Sequence, residues 1–303
     1  MIVTVTYNPA VDQTLQFDEP MAADHVLRAS DARFDAGGKG INVAQFLTAL
    51  ETPCVATGIV GGFTGQFVRD DMAADGVETA FVEVAGVTRL NTTALAEGTE
   101  YKLNHDGPIV DGSTADAVVE RVRERDPDRV LIGGSLPPGL STADVDAVAA
   151  AGDWATVVDM EGDALRALDE QYALCKPNRE ELAEATGADV STVEGCARAA
   201  ADFRSQGFDR VLASLGGDGA VLATADELLF AEALDVDVVG TVGAGDALLS
   251  GVLAAWERGT DDATALQNGV AVSSRLVEQA GTAVPDFDDV GALRDRVRVR
   301  RID

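Results

Sequence analysis

Val239-Gly240-Thr241-Val242-Gly243-Ala244-Gly245-Asp246-Ala247 reads as a strand running into a glycine turn and then into a helix. Gly243 and Gly245 carry no side chains, so backbone N–H groups at the helix start, Ala244 included, can close on an anion. The helix dipole favours an anion there by ~0.3–2 kcal/mol. Asp246 can take a proton from a hydroxyl as that hydroxyl attacks a phosphate, or it can simply cap the helix. The segment fits neither G-x-x-x-x-G-K-[ST] nor G-x-G-x-x-G, which rules out a Walker A loop and a dinucleotide turn at this place.

Working outward, β-branched runs recur at Ile2–Tyr7, Val55–Val60, Arg129–Ile132, Thr156–Met160, Arg210–Ser214 and Asp237–Thr241. Helical patterns at Ile41–Leu50, Ala143–Ala151, Thr192–Phe203 and Ala244–Trp256 alternate with them. This rhythm predicts an α/β fold, a doubly wound, mostly parallel sheet flanked by helices, with ligands at the carboxyl ends of the strands. Residues 11–35 and 88–110 break the rhythm, alternating polar with apolar positions and lacking a helix. They predict antiparallel strands in a small β lid, with residues 1–10, 36–87 and 111–303 forming the core. The charged run Asp295–Asp303 reads as a fraying tail.

A second glycine segment, Asp35-Ala36-Gly37-Gly38-Lys39-Gly40-Ile41-Asn42-Val43-Ala44, opens an amphipathic helix. Its backbone can approach a ligand closely, Lys39 adds a cation, and Asn42 in the first turn can bond a hydroxyl. Lys39 gains weight from composition. The chain has three lysines, Lys39, Lys102 and Lys176, against 52 acidic residues, for a net charge of -29 and a pI near 4.2. Such a surface repels nucleic acid and anionic lipid, and it suits a protein kept soluble in concentrated salt. Cys54, Cys175 and Cys196 are scattered without C-x-x-C spacing, which points to buried thiols in a reducing compartment. The first residues show no secretory pattern and no stretch resembles a membrane span, so a cytoplasmic location is expected.

The two glycine segments resemble the paired signatures of the ribokinase-like (PfkB) carbohydrate kinases. Further resemblances follow in order. Thr6-Tyr7-Asn8-Pro9-Ala10-Val11-Asp12 is similar to an N-P-A-x-D strand end, and Thr88-Arg89-Leu90-Asn91 to a T-R-x-N lid strand. Gly134-Ser135-Leu136-Pro137-Pro138-Gly139 is similar to G-S-L-P-x-G. Lys176-Pro177-Asn178-Arg179-Glu180-Glu181-Leu182 is similar to K-P-N-x-x-E-L, and Ser214-Leu215-Gly216-Gly217-Asp218-Gly219-Ala220 to S-L-G-x-x-G-A. Thr99–Pro108 follows the family's T-E-x-N-x-x-G-P run only loosely, and Ala247 stands where Ser or Thr is frequent.

The resemblance implies a ribokinase-like fold and phosphorylation of a sugar with ATP as donor and Mg²⁺, and it leaves K⁺ beside the anion hole open. Asp246 would be the base, with the backbone of Gly243, Ala244 and Gly245 as anion hole. Asp12, Gly37, Gly38, Lys39, Asn42, Arg89, Asn91 and Ser135 would hold the sugar. Lys176, Asn178, Ser214, Gly216, Gly219, Thr241, Gly243, Gly245 and Asn268 would line the nucleotide site, with Asn178 and Glu181 organising Mg²⁺ through water. A cluster of Arg89, Ser135 and Lys39 suits a sugar already carrying a phosphate. The A-G-G-K-G-I-N-V-A and T-R-L-N runs are most similar to 1-phosphofructokinases, which implies fructose 1-phosphate converted to fructose 1,6-bisphosphate. The alternatives are a kinase of tagatose 6-phosphate or fructose 6-phosphate, a kinase of an unphosphorylated sugar or acid such as 2-keto-3-deoxygluconate, and a regulator without catalysis. An apolar lid face would need covering, which predicts a homodimer through the lids.

Overall fold

Ile2–Thr6 is a run of five β-branched residues, all buried, and it forms β1. Its threonines are buried as fully as its valines, which suits a strand covered on both faces. The chain continues through β2 (Ala10–Phe17), β3 (Asp31–Gly37), α1 (Lys39–Ala49), β4 (Cys54–Gly61), α2 (Gly62–Ala74), β5 (Glu78–Thr79), β6 (Val82–Val84), β7 (Arg89–Ala96) and β8 (Thr99–Leu103). Next come α3 (Gly112–Arg123), β9 (Arg129–Gly133), α4 (Thr142–Ala149), β10 (Ala155–Asp159), α5 (Gly162–Arg166), β11 (Leu174–Cys175), α6 (Arg179–Thr186) and α7 (Val193–Arg204). The last elements are β12 (Val211–Ser214), β13 (Gly219–Ala223), β14 (Leu228–Glu232), α8 (Ala244–Glu257), α9 (Asp262–Val277), α10 (Val290–Arg294) and β15 (Val299–Arg301). This computed structural model describes residues 1–279 and 283–302.

The main sheet runs β15-β14-β13-β12-β11-β10-β9-β1-β4-β5, with β6 beside β4. From β12 to β5 every neighbour is parallel, and β13, β14 and β15 extend the edge antiparallel. Residues of α3 to α7 pack in one core cluster and those of α1, α8, α9 and α10 in another, so helices cover both faces as the alternation predicts. Among the described residues no helix is long and apolar enough to cross a membrane.

A second sheet has the order β3-β2-β7-β8. It is not wholly antiparallel as expected: β2 and β7 pair in parallel, from Ala10↔Arg89 to Phe17↔Ala96. Each follows a strand of the parallel main sheet, β1 and β6, and so leaves that sheet in the same direction. One face of this second sheet carries Val11, Leu15, Phe17, Phe34, Leu90 and Tyr101, and the other Asp12, Thr14, Asn91 and Thr93.

Two further sequence expectations fail. Asp237–Thr241 is not a strand. Its place beside β12 is taken by the β13–β14 hairpin, and the segment instead hangs from Val277, whose carbonyl accepts from the amides of Val239 and Gly240. Its valines do not fill core, since Val238 and Val239 are exposed. The C-terminal run does not fray through Ile302. Val299–Arg301 pairs with β14 and Ile302 is buried, which the Arg-Val-Arg-Val alternation explains as an edge strand. Asp303 lies outside the described residues.

Candidate active site

Gly243 caps α8 with φ 79°, a left-handed turn that suits glycine, and leaves the helix's first N–H groups facing outward. Of these, the Ala244 N–H is already taken, donating to the Thr241 carbonyl at 3.2 Å, so the expected anion hole does not have the Ala244 donor free. Asp246, in the first turn, is buried, and its Oδ2 accepts from Asn42 Nδ2 at 2.7 Å. Burial and the neighbouring Asp159 push the Asp246 carboxyl up to about 6, against the opposing pull of Lys176, Asn42 and Lys39.

Asp159 ends β10 and is fully buried. Its Oδ1 accepts from Lys39 Nζ at 2.6 Å, and Lys176 Nζ approaches Oδ2 at 3.0 Å, off the hydrogen-bonding direction. Burial alone would lower the Lys39 ammonium, but Asp159 more than reverses that and holds it above the usual range.

The polar face of the second sheet brings Asp12 and Asn91 together, with Asn91 Nδ2 donating to Asp12 Oδ1 at 2.9 Å. The Asp12 carboxylate lies over Gly37, where any β-carbon would come within 2.0 Å of Oδ2; Gly38 follows as the N-cap of α1. Burial raises the Asp12 carboxyl, against the Asn91 bond and the Arg89 charge. Arg89 Nε donates to the Asn8 carbonyl at 3.1 Å, and Asn8 Nδ2 reaches Ser135 Oγ at 3.4 Å. Burial lowers the Arg89 guanidinium, and its charge partners are Asp12 and Glu161. The Oδ1 atoms of Asn42 and Asn91 are buried with no partner. Buried acceptors of this kind are costly unless a donor fills them, and sugar hydroxyls are such donors.

Beyond α8 lies a cleft of about 740 Å³. Asn178, Ser214, Gly216, Gly219, Thr241 and Gly245 all line it, a size and mixed lining that suit a nucleotide. Asn178 and Glu181 form a reciprocal cap of α6, Asn178 Oδ1 accepting from the Glu181 N–H and Glu181 Oε2 from the Asn178 N–H, each at 2.8 Å. That leaves Glu181 one carboxylate oxygen outside the cap. Among the described residues no cluster of three His, Cys, Asp or Glu could hold a metal.

The profile of the pfkB family carbohydrate kinases matches residues 5–288. The chain belongs to this family. A 1-phosphofructokinase of Haloferax volcanii is 54% identical over 100% of this chain and 99% of its own length. A D-tagatose-1-phosphate kinase of Bacillus licheniformis is 32% identical over 90% of this chain and 91% of its own. Among solved structures, Escherichia coli phosphofructokinase-2 in complex with potassium superposes with a TM-score of 0.89 at 26% identity, covering 97% of this chain and 98% of that one. As a PfkB carbohydrate kinase the protein is a phosphotransferase with a hydroxyl acceptor and ATP as donor.

Within this PfkB kinase three of the expected nucleotide residues, Lys176, Gly243 and Asn268, do not line the cleft. Asn268 does not line the cleft; it is buried between α8 and α9, with Nδ2 on the Gly251 carbonyl at 2.7 Å. The cleft takes Val270, Ser273, Ser274 and Val277 from α9, an i, i+3, i+4, i+7 stripe that faces away from position 268. Lys176 lies under the α8 turn beside Asp159 rather than along the cleft wall. Sequence reasoning missed Asp159 and the side-chain role of Asn8. The signal for Asp159 was indirect: two of only three lysines had to find a partner.

Proposed function

We propose that the protein transfers the γ-phosphate of ATP to the 6-hydroxyl of fructose 1-phosphate, giving fructose 1,6-bisphosphate. The observation that carries this reading is the half-buried Arg89 guanidinium, held with Ser135 around Asn8 and beside the Asp12–Asn91 pair. A planar two-pronged donor there suits a sugar's own phosphate. The 54% identical relative named 1-phosphofructokinase supports the same reading.

Asn42 orients Asp246 through one carboxylate oxygen, leaving the other to accept the proton of the attacking hydroxyl. The new bond joins the sugar oxygen to the γ-phosphorus as the bond to the β-phosphate oxygen breaks, and ADP carries away the electron pair. N–H groups at the α8 turn stabilise charge on the phosphoryl oxygens. The open carboxylate oxygen of Glu181 and the cleft face of Asn178 fit Mg²⁺ held through water, which would draw charge from the nucleotide phosphates.

Phe34, Tyr101 and Leu103 are exposed on the apolar face of the second sheet, and we place a second copy of the chain there, making a homodimer whose sheets close over the two sites. The acidic, lysine-poor surface fits a cytoplasm rich in salt, where screening offsets a charge of -29.

The test is ADP release by purified protein with ATP and Mg²⁺ in concentrated potassium chloride. Fructose 1-phosphate, fructose 6-phosphate, the tagatose phosphates and free fructose are compared. Preference for fructose 1-phosphate is expected. Preference for a tagatose phosphate keeps the chemistry and changes the sugar, and equal use of free fructose removes Arg89 from its role.

A further inference from the structure

We propose that Asp159 is a positioning residue that holds Lys39 and Lys176 as a two-lysine clamp on the phosphoryl group in transfer, instead of leaving Lys39 to the sugar's own phosphate. The inference rests on the kinase chemistry above but not on which sugar is used.

The chain has three lysines, and two of them converge on one buried carboxylate. The third, Lys102, is exposed on β8 beside Glu100. Asp159 offers one oxygen to each ammonium. An ammonium has three donors, so each lysine keeps donors for a phosphate oxygen. The position of the pair follows from its neighbours. A β-carbon placed on Gly245, in the anion turn, would sit 3.1 Å from Lys176 Nζ. The carboxylates acting on Lys39 are Asp159, Glu181 and Asp246, the last two being the capping glutamate beside the nucleotide cleft and the base. Those acting on Arg89 are Asp12 and Glu161. The two cations share no partner, so they serve different anions: Arg89 the sugar phosphate, and Lys39 with Lys176 the group that moves.

The elements explain why Asp159 must do the positioning. Lys39 opens α1 and Lys176 follows β11, so nothing local brings their tips together. Asp159 ends β10, immediately beside β11, where a carboxylate can meet both. Without it the two ammoniums would lose the one carboxylate that touches both, leaving Asp246 as their nearest shared counter-charge and nothing to hold their tips beside the turn. Compact ammoniums suit this crowded place better than planar guanidiniums.

The experiment measures steady-state kinetics with ATP and the sugar phosphate that the wild type uses best, for Lys39→Met, Asp159→Asn and Arg89→Met. Lys39→Met should lower kcat by about a hundredfold while the sugar-phosphate KM stays within about threefold. Arg89→Met should instead raise that KM by about tenfold or more. Asp159→Asn should lower kcat at least as far as Lys39→Met. It should also move the acid limb of kcat/KM to lower pH, since the groups facing Asp246 are Asp159 from β10, Lys39 and Asn42 from α1, and Lys176 after β11. The limb reports the lost charge beside Asp246 whatever Asp159 does, so the positioning role is read from kcat per folded enzyme with the sugar-phosphate KM held, a split that a merely structural role would not give. The proposal is overturned if Lys39→Met raises the sugar-phosphate KM as Arg89→Met does while kcat holds, or if Asp159→Asn leaves the kcat of the folded enzyme in place. If Asp159→Asn does not fold, the Lys39 and Arg89 comparison decides alone. A wild type that phosphorylates none of the phosphosugars sinks the proposed function instead, which separates the two failures.

Discussion

At the amino end of the main sheet Trp256 lies between two arginines, Arg129 at 5.8 Å and Arg210 at 5.3 Å from the ring centre. Arg129 is paired with Glu257; Arg210 binds both oxygens of Asp262 at 3.1 Å, and Trp256 Nε1 donates to the same carboxylate at 3.0 Å. At the carboxyl end Lys39 and Lys176 meet Asp159, and Asn42 meets Asp246, but the Asn42 Oδ1 has no partner, and neither has the Asn91 Oδ1 on the second sheet nearby. The arginine–tryptophan network is thus fully paired, while the side chains around Asp246 keep an acceptor open, although Trp154 Nε1 and Thr260 Oγ1 near the amino end are unpartnered as well. Unmet capacity marks the ligand end only where it joins a buried ionisable group and a glycine turn, as it does beside Asp246.

The sharpest way to break this contrast is Asp246→Asn. It should lower kcat by about 10²–10⁴-fold, because no group is left to take the proton. Its melting temperature should stay level or rise, since a buried carboxyl held near 6 is replaced by a neutral amide. Kinetics and thermal denaturation of the same sample test both halves, and a lower melting temperature would refute the assignment of strain to the carboxyl end. Trp256→Ala should do the reverse, costing about 2–4 kcal/mol in denaturant unfolding, toward the lower end for Trp truncation because the ring is only half-buried. Activity of the folded fraction should hold. A smaller effect separates the ends by pH. Asp246 must be ionised to act, and its carboxyl is raised, so kcat/KM should fall about tenfold per unit below about 6 in wild type and Trp256→Ala alike. A limb near 4 would show that Asp246 is less shielded than its burial implies.

Much of the carboxyl end was legible in the sequence. Glycine beside Asp246, and glycine beside Lys39 and Asn42, announces a backbone close to an anion, and both segments do meet, through the Asn42–Asp246 bond. Asp159 was not legible, because Val-Val-Asp at a strand end has no local peculiarity and its importance comes from partners on α1 and after β11. Asn268 was misread because a polar residue does not reveal in sequence which face of its helix turns to the cleft, and this one lies opposite the Val270–Val277 stripe. The valines of 237–241 were misread because β-branched composition does not tell a buried strand from the rim of a cleft. The Arg-Val alternation at the C-terminus was dismissed for its charge although its period of two was the better guide.

The parallel pairing of β2 with β7 reaches into the protein's synthesis. At about 5–20 residues per second, β2 can pair with β3 early but leaves the ribosome roughly 4–16 s before its parallel partner β7 exists. During that interval the β7 edge of β2, with Phe17 at its end, is open to wrong partners. Ribosome-bound chains halted before Arg89 should be cut by protease within β2, and chains halted after Leu103 and clear of the exit tunnel should resist. The half of the substrate site that carries Asp12 is therefore assembled only in the second third of translation or later, and a pause placed between the two strands would lengthen its exposure to chaperones and to aggregation alike.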